Sequence, residues 1–211
     1  MHISEGVLSA PVLAGGAALA VGGLALGLRG LEPERVPRVA ILSSAFFVAS
    51  LIHLPVGPSS VHLVLNGLVG LVLGWAAFPA IFVGLLLHAV LFRFGGLTTL
   101  GVNTVVMAAP AVACHFLVRR WVGRARGPWA FALGFLAGAL AIAGGCVLLA
   151  GALMTTGRQF TTVALLAATA HAPVAAIEGL VTGAVVVFLR QVSPELLLAG
   201  PRKKEKAMDN A

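Results

Sequence analysis

Apolar runs of roughly membrane length follow one another along the chain, separated by short polar or glycine- and proline-rich breaks. A spanning helix needs about 20 mainly apolar residues. On that measure seven segments stand out, at 8–28, 36–54, 60–75, 79–94, 101–120, 128–154 and 161–190. The third and fourth are short and share one apolar stretch, interrupted near Gly74 and Pro79. Proline disfavours helix in the residue before it and donates no backbone hydrogen bond. The stretch is therefore expected to turn back there as two short helices. Glycine and alanine occur in every segment, which lets helices approach closely by their backbones. No internal repeat or inverted half is visible, which speaks against an ordinary secondary transporter. The predicted fold is all-α and integral to the membrane, a compact bundle of about seven transmembrane helices. It forms one domain over 1–192, with an inserted amino-terminal segment at 1–7 and a basic tail at 193–211.

Composition strengthens this reading. Of 211 residues, 59% are hydrophobic and only 10% charged, against about 25% charged in a soluble domain. The net charge of +7 does not point to nucleic acid, because the basic residues sit in short clusters between apolar runs. That is the pattern of membrane topology. With the amino terminus outside and seven crossings, the inner loops and tail collect Arg29, Arg35, Arg38, Arg119, Arg120, Arg124, Arg126, Arg190, Arg202, Lys203, Lys204 and Lys206, twelve of the fourteen basic residues. Arg93 and Arg158 fall outside. Orientation is predicted as N-out, C-in. Cys114 and Cys146 each lie inside an apolar run and read as small buried hydrophobes. No basic residue precedes Arg29, so a cleavable signal peptide is not expected. His2 is too large for methionine removal, so Met1 is expected to stay.

The opening Met1-His2-Ile3-Ser4-Glu5-Gly6 carries chemistry. A free amino terminus, the backbone nitrogen of His2 and its ring Nδ1 can close two fused chelate rings on one metal. A fourth nitrogen would complete a square, which suits Ni(II), Cu(II) or low-spin Co(II) better than tetrahedral Zn(II). His62, at the outer start of the third segment, is the candidate for that nitrogen; alone, it reads more readily as a helix-end histidine bonded to its loop. Pairing with the Met-His opening raises the ligand reading above that one. A ligating imidazole usually hands its other nitrogen to a polar group. His53, Ser60, His88 and Asn103 are candidates for that supporting role or for the access route of the ion, and each also reads as an ordinary structural hydrogen bond. Asn103 can alternatively cap the fifth helix. Glu5 either attracts cations at the outer mouth or is simply solvated. His171 and Glu178 lie seven apart on one helix face, as a structural or coupling pair; Glu178 is the one carboxylate embedded in a span. Ionisable groups there are expensive and mark sites by default. His115, near the Arg119–Arg126 cluster, reads as structural. No enzyme motif appears: there is no His-Glu-x-x-His helix, no Gly-x-Ser-x-Gly elbow and no Walker A loop. The chain is not expected to be an enzyme or to carry a cofactor.

Four stretches together resemble the cobalt- or nickel-specific S components of energy-coupling-factor transporters, of the CbiM and NikM type. They are Met1-His2-Ile3-x-Glu5-Gly6, His53-Leu-Pro-Val-Gly-Pro-Ser-Ser-Val-His62-Leu, Phe94-Gly-Gly-Leu-Thr-Thr-Leu-Gly-Val-Asn103-Thr and His171-x-Pro173-x4-Glu178-Gly179. The family opening often has Asp where this chain has Glu5, and Pro where it has Ser4. The resemblance implies a metal held by the terminal amine of Met1, the His2 nitrogens and His62. It implies ATP-driven import of Co2+ or Ni2+, with cobalt favoured, to supply cobalamin synthesis. It also implies a T-type membrane coupling subunit, separate ATPase subunits and a small accessory membrane protein. The expected location is the bacterial cytoplasmic (inner) membrane, in contact with lipid, with the metal site facing outward. A stand-alone secondary metal permease and a metal-free membrane scaffold are the rival readings.

Overall fold

Proline opens three of the helices: Pro11 and Pro37 stand in the first turns of α1 (Ala10–Arg29) and α2 (Val36–Ala49), and Pro128 starts α6 (Pro128–Thr156). Its missing N–H costs nothing there, since the first amides of a helix lack intrahelical partners anyway. The computed structural model describes residues 2–56 and 59–197, with 53–56 and 59–61 described through their backbone alone. Met1, residues 57–58 and most of the predicted basic tail, 198–211, lie outside the described residues.

Five stretches are long and apolar enough to cross a membrane: 10–29, 66–92, 100–122, 128–156 and 158–192. Seven crossing segments were expected. The second, α2, has 14 residues, about 21 Å of helix against an apolar layer of about 30 Å. The third and fourth, α3 (Asn66–Leu73) and α4 (Ala77–Leu87), fall within the single stretch 66–92. A straight helix over that stretch would measure roughly 40 Å. Yet His62, just before it, and His88, near its end, both lie against His2. The chain therefore folds back between α3 and α4, where Gly74 adopts φ +60 and begins a 3₁₀ turn over Gly74–Ala76. The reversal expected near Gly74 and Pro79 is present.

A further correction concerns 53–62. Residues His53–Val56 (β1) and Ser59–His62 (β2) form a two-stranded antiparallel hairpin, with His53 opposite His62. The expectation of helix from residue 60 fails here, and α3 begins at Asn66. Pro55 removes a helical donor, and Val56 and Val61 are β-branched, so the short segment is better suited to extended backbone.

The remaining long helices are α5 (Leu100–Val122) and α7 (Thr161–Val192). Close backbone contacts knit the bundle. A Cβ on Gly70 of α3 would lie 2.2 Å from the carbonyl oxygen of Ala111 in α5, and one on Gly138 of α6 would lie 2.5 Å from that of Glu178 in α7. The Asn66 amide donates to Met107 O at 3.2 Å, and Ser43 donates to Ala80 O at 2.7 Å to join α2 with α4. Phe46, Leu71, Ile81, Met107 and Ile142 fill the centre. Trp129, Val147 and Leu165 are exposed on the outside, as surfaces facing hydrocarbon should be. The arginine-rich helix ends meet: Arg190 donates to the carbonyls of Val122 and Gly123, and Arg119 donates to His115 Nε2 at 3.2 Å. Both cysteines are free; Cys114 is buried as expected, and Cys146 is only partly buried.

Candidate metal centre

The amino-terminal segment is built into the bundle. Ile3 is 4% exposed and Leu8 7%. Asn103, in the first turn of α5, grips Ile3 from both sides: the Ile3 N–H donates to Asn103 Oδ1 at 2.9 Å, and Asn103 Nδ2 donates to Ile3 O at 3.1 Å. The Thr99 hydroxyl donates to the same carbonyl at 2.9 Å and accepts from Asn103 Nδ2 at 3.2 Å. Further on, Glu5 accepts the Thr98 N–H at 3.2 Å, and Ser9 N–H donates to Thr156 at 3.3 Å. Gly95, at φ +78, lets this loop pass close by: a Cβ there would lie 2.9 Å from Asn103 Nδ2. Short, specific hydrogen bonds thus hold the backbone on the carboxyl side of His2.

His62 is the second half of the site. Its Nδ1–H donates to Leu63 O at 3.0 Å, which fixes the tautomer and leaves Nε2 as the lone-pair nitrogen. That Nε2 lies 3.1 Å from Nδ1 of His2. Two nitrogens bound to one ion at about 2.0–2.1 Å and at right angles lie about 2.8–3.0 Å apart. The two nitrogens that the chelate requires therefore face each other at nearly the separation a shared ion imposes. Among the described residues, no group of three or more His, Cys, Asp or Glu side chains is placed to hold a metal ion. Side chains alone therefore offer a metal no more than two facing imidazoles here.

Glu178, fully buried on α7, bonds to the segment that follows His62. It accepts the N–H of Val64, and the N–H of Leu65 at 2.9 Å from each carboxylate oxygen. Leu65 has φ +55 and leads directly into α3, so the carboxylate sits at a helix amino terminus, where the backbone dipole favours negative charge. It pins the chain two and three residues past His62. His171 is not hydrogen-bonded to it; its Nδ1–H donates to Ala167 O at 2.7 Å within α7. The pairing on one helix face thus yields two separate roles.

The other expected residues divide. Asn103 supports Ile3 and makes no cap bond to α5, whose amino-terminal neighbour is Thr99. Glu5 is exposed and tied to the Thr98 loop. His88 is buried beside His2, with 5.3 Å between ring centroids, and its Nε2–H donates to Phe47 O at 3.0 Å. His115 is structural as expected, donating to the carbonyls of Gly70 and Leu71. The backbone of His53 pairs with that of His62. The side chains of His53 and Ser60, and the amine of Met1, lie outside the described residues. Thr99 was not anticipated; its place four residues before Asn103, one helical turn, is the signal that points to it.

These features define a multi-pass helical membrane protein with two facing imidazoles held by a buried amino-terminal segment. The family model described as "Cobalt uptake substrate-specific transmembrane region" (CbiM) matches residues 2–196. The chain belongs to this family of cobalt/nickel uptake components, the S components of energy-coupling-factor transporters, and it is a transport subunit and not an enzyme. It is 44% identical over 202 residues to a Haemophilus influenzae protein provisionally named a metal transport protein, covering 93% of this chain and 97% of that one. It is 32% identical over 218 residues to the cobalt transport protein CbiM of Sorangium cellulosum, covering 93% and 94%. The crystal structure of a transition metal transporter superposes with a TM-score of 0.76 at 25% identity, covering 91% of this chain and 93% of that one.

Proposed function

We propose that the chain captures Co2+, in preference to Ni2+, in a near-planar set of four nitrogens: the Met1 amine, the His2 amide nitrogen, His2 Nδ1 and His62 Nε2. The observation that carries this reading is the 3.1 Å separation of the two ring nitrogens. Asn103, Thr99 and Glu178 hold the two ligand-bearing strands of backbone in place, and Glu5 fastens the segment to the following loop. His53 and Ser60 flank the ion's access route. The preference for cobalt follows the family likeness, as does a role in supplying cobalamin synthesis.

The bundle lies in the bacterial cytoplasmic membrane with the metal site outward and the arginine-rich ends inward, as the positive-inside rule requires. In this reading the short α2, α3 and α4 complete a seven-helix bundle over 1–192, N-out and C-in. A T-type coupling subunit, ATPase subunits and a small accessory membrane protein supply the energy, because no nucleotide-binding motif is present in the chain. Their ATP hydrolysis reorients the loaded site inward. The test is metal uptake by cells expressing this chain with and without the coupling and ATPase subunits. Uptake is expected only when they are present; full uptake by the chain alone would make it a secondary permease.

A further inference from the structure

Glu178 is a carboxylate with nothing of opposite charge paired to it. It is fully buried midway along α7, and its partners are the main-chain N–H groups of Val64 and Leu65. Both groups only donate, which suits the ionised carboxylate; a protonated one would leave its O–H without an acceptor. No Lys, Arg or His forms an ion pair with it among the described residues, and the His171 ring one face along is committed to Ala167 O. The start of α3 eases the burial of this charge but carries no full charge of its own. A lone carboxylate inside a membrane bundle is costly and calls for a counter-charge.

Its position shows where one can come from. Val64 is two residues past His62, whose Nε2 faces His2 Nδ1 at 3.1 Å. Two residues of extended chain reach about 7 Å. Adding the imidazole and the hydrogen bond keeps the carboxylate within roughly 13 Å of His62 Nε2. The gap between the two rings is where the proposed function brings in a cation.

We infer that Glu178 is the counter-charge of the captured cation, so that its negative charge, beyond its grip on the backbone, favours a divalent ion at His2 and His62. The inference rests on the capture reading above. At that distance and an effective interior dielectric constant of about 20, a unit negative charge favours binding about tenfold for each positive charge the site gains. A divalent ion that displaces one amide proton adds one such charge, and Glu178 cancels it. The loaded core is then neutral, the form least costly to hold within hydrocarbon.

The test is Glu178→Gln, which keeps the size of the side chain and an acceptor oxygen and removes the charge. In the full-length protein, Co(II) affinity should fall about tenfold, with little change in the melting temperature of the metal-free protein. A displaced His62 would also weaken binding, so the second readout is the potential of the bound cobalt. Oxidising Co(II) to Co(III) adds one more positive charge. Loss of the nearby negative charge should therefore raise the midpoint by about 59 mV, a tenfold change in a one-electron equilibrium. Unchanged affinity overturns the inference, as does weaker binding with an unmoved midpoint. If Glu178→Gln does not fold, the infrared spectrum of the Co(II)-loaded wild type decides: a carbonyl stretch from a buried protonated carboxyl group overturns the inference, and its absence upholds it. No binding of Co(II) or Ni(II) by the wild type instead overturns the capture reading itself, and this inference with it.

Discussion

Leu65 and Glu178 are 113 residues apart in sequence, yet the backbone N–H of Leu65 lies 2.9 Å from both carboxylate oxygens of Glu178. The contact ties the segment that carries His62 to the last long helix. It makes the position of one proposed metal ligand depend on α7, the last long helix of the chain.

Removing the carboxylate exposes that dependence. Glu178→Ala leaves the amides of Val64 and Leu65 buried and unsatisfied, at about 1–3 kcal/mol each. A clearly lowered melting temperature is expected, together with weaker metal binding at temperatures where the variant is folded. Glu178→Gln retains an acceptor and should lose less of both. Thermal denaturation in detergent and calorimetric titration with Ni(II) would check the order; equal affinity in all three proteins would show that the clamp does not position His62.

Asn103 is the corresponding clamp on the segment of the other proposed ligand, His2. Asn103→Leu deletes both hydrogen bonds to the Ile3 backbone and frees the segment that begins with His2. Supports of this kind typically contribute 10–100-fold in metal affinity, and a loss of about that size is expected. Asn103→Asp keeps the acceptor for the Ile3 N–H and loses the donor, so its affinity should fall between the two. Equilibrium dialysis with Co(II) distinguishes these outcomes.

Acid should release the metal. Each nitrogen of the proposed set must be free of its proton, and the His2 amide must lose one outright, so binding displaces protons. The sign follows directly: lowering pH favours the protonated, empty site. Between about pH 8 and about pH 5 the dissociation constant should rise steeply. A constant that stays flat over that range would argue against this ligand set.

Much of this arrangement was legible in the chain. Hydropathy placed the four long helices closely but ran the second segment past the end of α2 and began the third before α3, and Gly74 with Pro79 marked the reversal between α3 and α4. His2 and His62 were brought together by their shared side of the membrane and by family likeness. The hairpin at 53–62 was not legible, because four-residue strands leave too little periodicity beside long apolar runs. The role of Glu178 was missed for another reason. Its partners are backbone amides, which look alike at every position in a sequence. Spacing suggested His171 instead, and on one helix face the nearer acceptor, Ala167 O, takes that ring. Asn103 was singled out as a support or a cap, because capping and clamping of a distant backbone use the same side-chain atoms and only the fold separates them.

The central claim is that the amino terminus itself is a ligand. The most direct test compares metal binding by the protein with its native amino terminus and by a version carrying three extra residues, Gly-Gly-Ser, before Met1. The extension moves the amine too far from His2 to share a chelate with its ring and leaves every side chain unchanged. Strong binding of Co(II) or Ni(II) by the native protein and none by the extended one is the result expected. Equal binding by both would place the site among side chains alone and contradict the account.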